Sequence, residues 1–174
     1  MENNYTLSVE PSAKNFEYWL NRPYVDDGLR SSLSNVNLLI VPWETYPGYD
    51  GPVFPQGSDV LLSFLQTESP KEIVADACIS DDDYLDLTLH HDIIEVGMMV
   101  VSSFIAPIVV DRVKKYLEKR RDDELHIKIR LTIVNADHSA KEISFEGPYQ
   151  AFEPTVRKVL GQDPTIVQEK PTEQ

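Results

Sequence analysis

The amino-acid sequence predicts an α+β or α/β fold built on a mixed sheet of about five strands. Three patterns support this prediction: two apolar runs that flank an amphipathic helix, a long nearly uncharged segment, and alternating segments in the second half of the chain. Short continuous apolar runs are typical of strands covered on both faces, whereas strict alternation is typical of strands with one face in water. The predicted order of elements is β-α-β-β, one long helix, and then β-β-α.

The length and composition predict one domain. The chain has 174 residues, of which 41% are hydrophobic, and this is enough to bury a core without disulfides or a structural metal. Residues 1–35 are irregular apart from a short helix predicted at AKNFEYWL, and we expect them to form an N-terminal packing arm. Residues 36–160 are expected to form a single α+β domain, and residues 161–174 a flexible tail.

The first half of the predicted domain contains a β-α-β unit. NVNLLIVPW, residues 35–43, reads as a buried strand, and GSDVLLSFLQTESP, residues 57–70, reads as a helix with one leucine-rich face. KEIVADACIS, residues 71–80, reads as the second buried strand. Because such crossovers are right-handed, the two strands should be parallel. A third strand is predicted where Leu85, Leu87 and Leu89 alternate with polar residues.

The C-terminal part is predicted to be a β-hairpin followed by a helix. Residues 125–133 show the clearest alternation in the chain, and a shorter alternation surrounds Ile143 and Phe145. Lys128 and Arg130 should then lie opposite glutamates of the second strand. The segment YQAFEPTVRKVL, residues 149–160, is predicted to be the last helix.

The long segment between these parts, residues 93–121, is predicted to be a central helix. Residues 93–106 are apolar on every side, as in a buried helix, and residues 107–121 are amphipathic. Pro107 should kink or break this helix, because proline cannot donate a backbone hydrogen bond. Insertion of residues 93–110 in a membrane is an alternative. It is disfavoured because the uncharged residues 96–110 would rise about 22 Å, against a hydrocarbon core of about 30 Å.

Charge and cysteine content restrict the partners and the compartment. The net charge is −13, and residues 1–92 contain 4 Lys or Arg against 16 Asp or Glu, so the first half should not bind nucleic acid. The single cysteine, Cys78, excludes an internal disulfide, and the start of the chain lacks the pattern of a secretion signal. These observations favour a cytoplasmic location.

No cofactor, catalytic or metal site is predicted. The chain has no phosphate-binding glycine loop, and its only cysteine lies in an apolar strand. His90 and His91 are adjacent on a predicted strand and would point to opposite faces, so the two cannot share a metal ion. An enzymatic alternative remains in which acidic strand-end residues bind Mg²⁺ for hydrolysis of phosphate esters or nucleic acid. Its candidate ligands are Asp76, Asp86 and Glu142.

The predicted binding site is the loop WETYPGYDGPVFPQG, residues 43–57. This loop leaves the carboxyl end of the first buried strand, where ligands commonly bind in open α/β sheets. It is rich in aromatic side chains suited to recognition, although such residues could also simply cap the end of the sheet. The candidate binding residues are Trp43, Glu44, Tyr46, Tyr49 and Phe54.

The leading functional hypothesis is a small interaction or regulatory module that binds a protein partner or a second copy of itself. Such a module would suit an accessory subunit of a larger bacterial assembly, such as a defence system. The hypothesis rests on a chain with the pattern of a full core and no catalytic motif. The alternatives are the metal-dependent hydrolase or nuclease and a membrane-associated effector that uses residues 93–110.

Overall fold

The structure is a computed structural model that describes residues 4–89, 92–120 and 125–161. Its strands are β1 (Thr6–Ser12), β2 (Leu38–Val41), β3 (Phe54–Pro55), β4 (Ala75–Ala77), β5 (Asp86–Leu87), β6 (Ile93–Ser102), β7 (His126–Val134) and β8 (Ala140–Pro148). Its helices are α1 (Phe16–Leu20), α2 (Asp27–Ser32), α3 (Ser58–Thr67), α4 (Ala106–Glu118) and α5 (Tyr149–Val159), with a short 3-10 turn at Asp81–Asp83.

Six of these strands form one mixed sheet in the order β1-β8-β7-β6-β2-β4. The pairs β6–β7 and β2–β4 are parallel, and the other three pairs are antiparallel. The predicted α+β class is therefore confirmed, with six strands in the sheet instead of about five. The two short strands β3 and β5 pair separately as a parallel ribbon.

The predicted β-α-β unit and C-terminal hairpin are both present. β2, α3 and β4 occur in this order, with the short strand β3 between β2 and α3, and Leu38 of β2 pairs with Ala75 of β4 in parallel register. β7 and β8 form the antiparallel hairpin, in which Lys128 lies opposite Glu146 as expected. Arg130, however, lies opposite Ser144 and not opposite a glutamate. Helix α5 follows β8 directly.

The prediction of one long kinked central helix is wrong. Residues 93–102 form strand β6, the chain turns at residues 103–105, and helix α4 begins at Ala106 with Pro107 in its first turn. β6 is largely apolar on both alternations because it lies between β2 and β7, and helices cover its first face and the C-terminal part of its second face. Pro107 starts a helix, where a missing amide hydrogen costs nothing. Over the described residues, no helix combines the length and apolar character needed to cross a bilayer.

Helices cover the two faces of the sheet unequally. On the first face α3, α4 and α5 pack over β2, β4, β6, β7 and β8 and form the larger hydrophobic core. On the second face α1 and α2 bring Trp19, Val25 and Leu33 against β2 and part of β6. This smaller core reaches only one end of β7 and β8, at Val134 and Ala140, and the rest of these two strands carries polar side chains on this face. The uncovered area is the place where a site can form.

The first 35 residues contribute to both the sheet and the smaller core. β1 pairs with β8 at one edge of the sheet, with Leu7 opposite Phe145 and Val9 opposite Ile143. Helix α1 begins at the cap residue Asn15, whose side chain accepts a hydrogen bond from the amide of Tyr18. Its only fully buried side chain is Trp19, which anchors this segment on the second face.

Candidate functional site

A groove with a volume of about 990 Å³ lies on the second face of the sheet, beside the smaller core. Strands β6, β7 and β8 form its floor, and its walls come from residues around α1 and from the start of the predicted binding loop. Basic and acidic residues line it in equal number, which gives it far less negative charge than the whole chain. Its lining residues are Lys14, Tyr18, Trp19, Arg22, Pro42, Trp43, Glu44, Thr45, Tyr46, Pro47, Leu89, Asp92, Ile93, Glu95, Met98, Lys128, Arg130 and Glu146.

Strand register places charged side chains in rows across the floor. Lys128 of β7 lies between Glu95 of β6 and Glu146 of β8. In the next row Arg130 of β7 lies between Met98 and Ser144. Lys128 therefore has a carboxylate on each side, whereas Arg130 has an apolar neighbour and a hydroxyl neighbour.

A β-bulge in β6 brings Glu95 and Met98 to the same face. The pairing of β6 with β7 shifts between Glu95 and Gly97, so that Val96 is the extra residue. Without this shift, two residues three positions apart would point to opposite faces of the sheet. Gly97 has a φ of +109°, which other residues rarely adopt, and a Cβ there would lie 3.2 Å from Cγ of Pro55.

One wall of the groove is held by an ion pair between distant parts of the chain. Arg22 Nε donates to Glu44 Oε2 over 2.7 Å, and the hydroxyl of Tyr18 lies 3.5 Å from Glu44 Oε1. The Arg22 guanidinium also lies 5.0 Å from the centre of the Tyr18 ring. The hydrogen bond with Glu44 raises the pKa of Arg22. Glu44 therefore joins the loop to the α1 segment and is already engaged.

The aromatic side chains of the predicted loop occupy three different environments. Trp43 and Tyr46 stack with their ring centres 5.4 Å apart and line the groove. Tyr49 contacts Tyr46 edge-on and is 44% exposed, but it does not line the groove. Phe54 is fully buried and stacks on Tyr84, so it supports the loop from the core and does not face a ligand. Two backbone hydrogen bonds between Trp43 and Val53 hold the loop.

Three of the five predicted binding residues therefore line the groove, together with residues that the sequence analysis did not select. Tyr18 and Arg22 are four residues apart, a spacing that places side chains on one side of a helical segment. Lys128 and Arg130 alternate on the polar face of the predicted hairpin, and this was a usable signal for an exposed sheet face. Glu95 cannot be selected from the sequence, because its apolar segment predicts a helix and not a strand of the sheet.

The electrostatic environment of the floor acts most strongly on Glu95. Burial raises the pKa of its carboxyl group above the ordinary value, and this effect is the largest. The nearby positive charges of Lys128 and Arg130 lower the pKa, and the charge of Glu146 raises it further. Glu95 is thus a partly buried carboxyl group that also experiences the positive charges of Lys128 and Arg130.

The geometry does not assemble the acidic metal site of the enzymatic alternative. Asp76 lies in β4 and Glu142 in β8, with three strands between them, and Asp86 lies in the separate ribbon. Across the described ranges, no three His, Cys, Asp or Glu side chains are grouped so that they could hold a metal ion. His90 and His91 lie outside the described residues.

Burial also accounts for Cys78. Its side chain is fully buried in the smaller core, with Sγ 3.5 Å from the carbonyl oxygen of Trp19. Burial raises the pKa of the thiol to about 12, and the charge of Glu44 adds to this effect. The thiol is therefore uncharged at neutral pH and packs as a small apolar group.

Comparison with protein-family models, with curated proteins and with solved structures gives no match for this chain.

Proposed function

We propose that this protein is a small interaction module that binds an extended segment of a partner protein in the groove. The observation that carries the proposal is the groove itself, in which the stacked rings of Trp43 and Tyr46 lie beside a sheet floor with charges of both signs. Tryptophan, tyrosine and arginine are the residues that most often dominate the energy of protein interfaces. Charges of both signs favour a specific register of the bound segment.

The chemistry of the groove favours a protein segment over nucleic acid. Glu44, Glu95 and Glu146 line the groove, and the chain as a whole carries a charge of −13. A polyphosphate backbone would be repelled by both. The groove is also at the upper end of the size range of small-molecule sites, about 300–1,000 Å³, and an elongated ligand would use this space better.

The proposal includes a cytoplasmic location, which the lone buried Cys78 favours. The partner would be another subunit of a larger bacterial assembly, such as a defence system, for which this chain is an accessory subunit. A second copy of this chain is the alternative partner. Both versions require the groove to accept a segment from a separate molecule.

Peptide display with a random library tests the proposal. We expect selection on the wild-type protein to enrich peptides that bind it. We expect Trp43→Ala to weaken their binding at least 10-fold, or about 1.4 kcal/mol, because the side chain lost is a large aromatic wall of the groove. Tyr46→Ala should weaken binding in the same direction. Affinities would be measured by calorimetry.

Tyr49→Ala is the matched control, because Tyr49 belongs to the same loop but does not line the groove. It should change peptide affinity by less than about 3-fold. Thermal unfolding of each variant verifies that it is folded. Selection that enriches no sequence would contradict the proposal, and so would peptides that bind the Trp43→Ala protein as tightly as the wild type.

A further inference from the structure

Among the described residues, the guanidinium of Arg130 has neither a hydrogen-bond acceptor nor an ion-pair partner within bonding distance. Every other arginine that the structure describes donates a hydrogen bond or forms an ion pair. These are Arg22, Arg30, Arg112, Arg120 and Arg157. Arg130 is half-buried on the floor of the groove, and no carboxylate of the described residues lies within ion-pair distance of it. The five N–H donors of the Arg130 guanidinium therefore have no acceptor among the described residues.

We infer that Arg130 binds a single carboxylate group of the partner segment. This inference rests on the proposed function and adds the chemical class of the group that is recognised. A guanidinium presents its donors in a planar fork that matches a carboxylate with two parallel hydrogen bonds. The neighbouring Lys128 lies between Glu95 and Glu146 in the strand register, so two carboxylates offset its charge more closely than they offset the charge of Arg130.

The charges around Arg130 select one negative charge over several. Glu95 and Glu146 lie in the adjacent row of the floor, and Glu44 lines the wall. A phosphate group with nearly two negative charges would be repelled by these carboxylates more strongly than a carboxylate with one. The site is therefore assigned to a carboxylate, supplied by an acidic side chain or by a chain terminus.

The surroundings also specify what should stand next to that carboxylate. Met98 lies directly opposite Arg130 on the floor, and Trp43 and Tyr46 line the same groove. An apolar or aromatic group adjacent to the carboxylate would cover these side chains, while the carboxylate meets the guanidinium. The recognised unit is thus an acidic group next to an apolar one.

N-acetyl-L-phenylalanine is a probe that carries both groups, and N-acetyl-L-phenylalaninamide is its uncharged counterpart. Titration of the ¹⁵N-labelled full-length protein, followed by NMR, should give saturable shifts at the amides of residues 97–99 and 129–131 with the acid. The amide should bind at least 10-fold more weakly. Arg130→Gln should weaken binding of the acid at least 10-fold. Lys71→Gln, which removes an exposed positive charge outside the groove, should leave it unchanged.

Three results would overturn the inference: no saturable shift with the acid, equal binding of acid and amide, or unchanged binding by Arg130→Gln. Tighter binding of inorganic phosphate than of the acid would also overturn it, since the site would then be a general anion site. The peptide selection separates this inference from the proposed function. Peptides that depend on Trp43 but show no preference for an acidic residue or for a free C-terminal carboxylate would refute only the inference. Failure to select any peptide would refute the proposed function.

Discussion

Glu95 is the residue at which the fold and the chemistry of the groove are most directly coupled. Its raised pKa means that folding favours the protonated carboxyl over the charged one, mainly because burial removes water from the charge. The corresponding stability is fully present below the pKa of the unfolded chain, about 4.3 for glutamate. It is lost as the pH rises through the higher pKa of the folded protein.

We therefore predict that Glu95→Gln stabilises the protein more at neutral pH than at acidic pH. The variant keeps a polar side chain of the same size but has no charge to bury. Each unit by which folding raises the pKa corresponds to about 1.4 kcal/mol at neutral pH. Thermal unfolding from about pH 4 to about pH 8 should show a difference in Tm between variant and wild type that grows with pH.

Glu142→Gln is the control for this prediction. It removes a carboxylate from β8, two strands away from β6, outside the lining of the groove. The Tm difference between Glu95→Gln and the wild type should not stay constant or decrease as the pH rises. Such a result would show that folding does not disfavour the charged form of Glu95.

At the scale of single residues, the sequence predicts part of the groove. Trp43, Glu44 and Tyr46 could be selected because a loop that follows a buried strand has a known position relative to the sheet. The alternation of β7 places Arg130 on the solvent-facing side of the sheet, but it could not predict that none of the described residues pairs with its guanidinium. Whether Arg130 has a carboxylate neighbour depends on the register of β7 with β6 and β8. This register places Met98 and Ser144 beside Arg130, and not a glutamate.

Among the elements, β1 shows how closely an edge strand is fitted to its neighbour. A Cβ on Gly147 of β8 would lie 2.6 Å from Cβ of Tyr5 and 3.0 Å from its Cα. Tyr5 in turn stacks on Phe145, with ring centres 5.8 Å apart. Because backbone as well as side chain is close, the contact cannot be relieved by a change of rotamer alone.

We predict that Gly147→Ala destabilises the protein by about 1–3 kcal/mol, the usual cost of an extra group in a packed site. The chain around Tyr5 must move away, and this should weaken the pairing of β1 with β8. Urea denaturation measures the loss in the free energy of unfolding. Hydrogen exchange should show a greater acceleration for amides of β1 than for amides of β7.

Gly51→Ala provides the matched control, because a Cβ at position 51 meets no atom within 4 Å. It should change the free energy of unfolding by less than about 0.5 kcal/mol. Equal stability of the Gly147→Ala and Gly51→Ala proteins would contradict the described contact between β8 and Tyr5.

The incorrect prediction of a helix at residues 93–102, which form β6, has a physical cause at the scale of the element. Periodicity separates helices from strands only where one side of the element is in water. β6 lies inside the sheet with apolar groups on both faces, and its bulge interrupts the remaining alternation. Proline is equally compatible with a kink in a long helix and with the first turn of a new one, so Pro107 could not decide between them.

For the whole molecule, the net charge of −13 predicts a response to salt. Repulsion among the carboxylates destabilises the folded chain, and salt screens it. The ion pairs of the described residues are partly exposed, so their screening costs little. We expect the Tm at neutral pH to rise by about 2–4 °C, or about 1 kcal/mol, between about 0.02 M and about 0.3 M NaCl.

The same salt series near the isoelectric point, about 4.6, is the internal control for this prediction. There the net charge is close to zero, and the increase in Tm should disappear. A Tm that falls with salt at neutral pH would mean that attractive pairs outweigh the repulsion.

At the scale of the whole chain, the sequence predicts the α+β class and the β-α-β unit, because both depend on neighbouring segments. The strand order was not predictable in the same way. The pairing of β1 with β8 and the parallel pairing of β6 with β7 bring together segments whose patterns carry no information about their partners. The groove depends on these long-range pairings. The sequence could therefore predict only the part of it that comes from the loop at residues 43–57.

The pairing of β1 with β8 has a consequence for the order of events during synthesis. One wall of the groove comes from residues around α1, and much of the floor comes from β7 and β8. While a ribosome is still extending the chain, the residues of this wall emerge before those of β7 and β8, so the groove cannot be complete until β8 has emerged. A partner that binds in the groove, as proposed, would therefore find no complete binding site on a nascent chain.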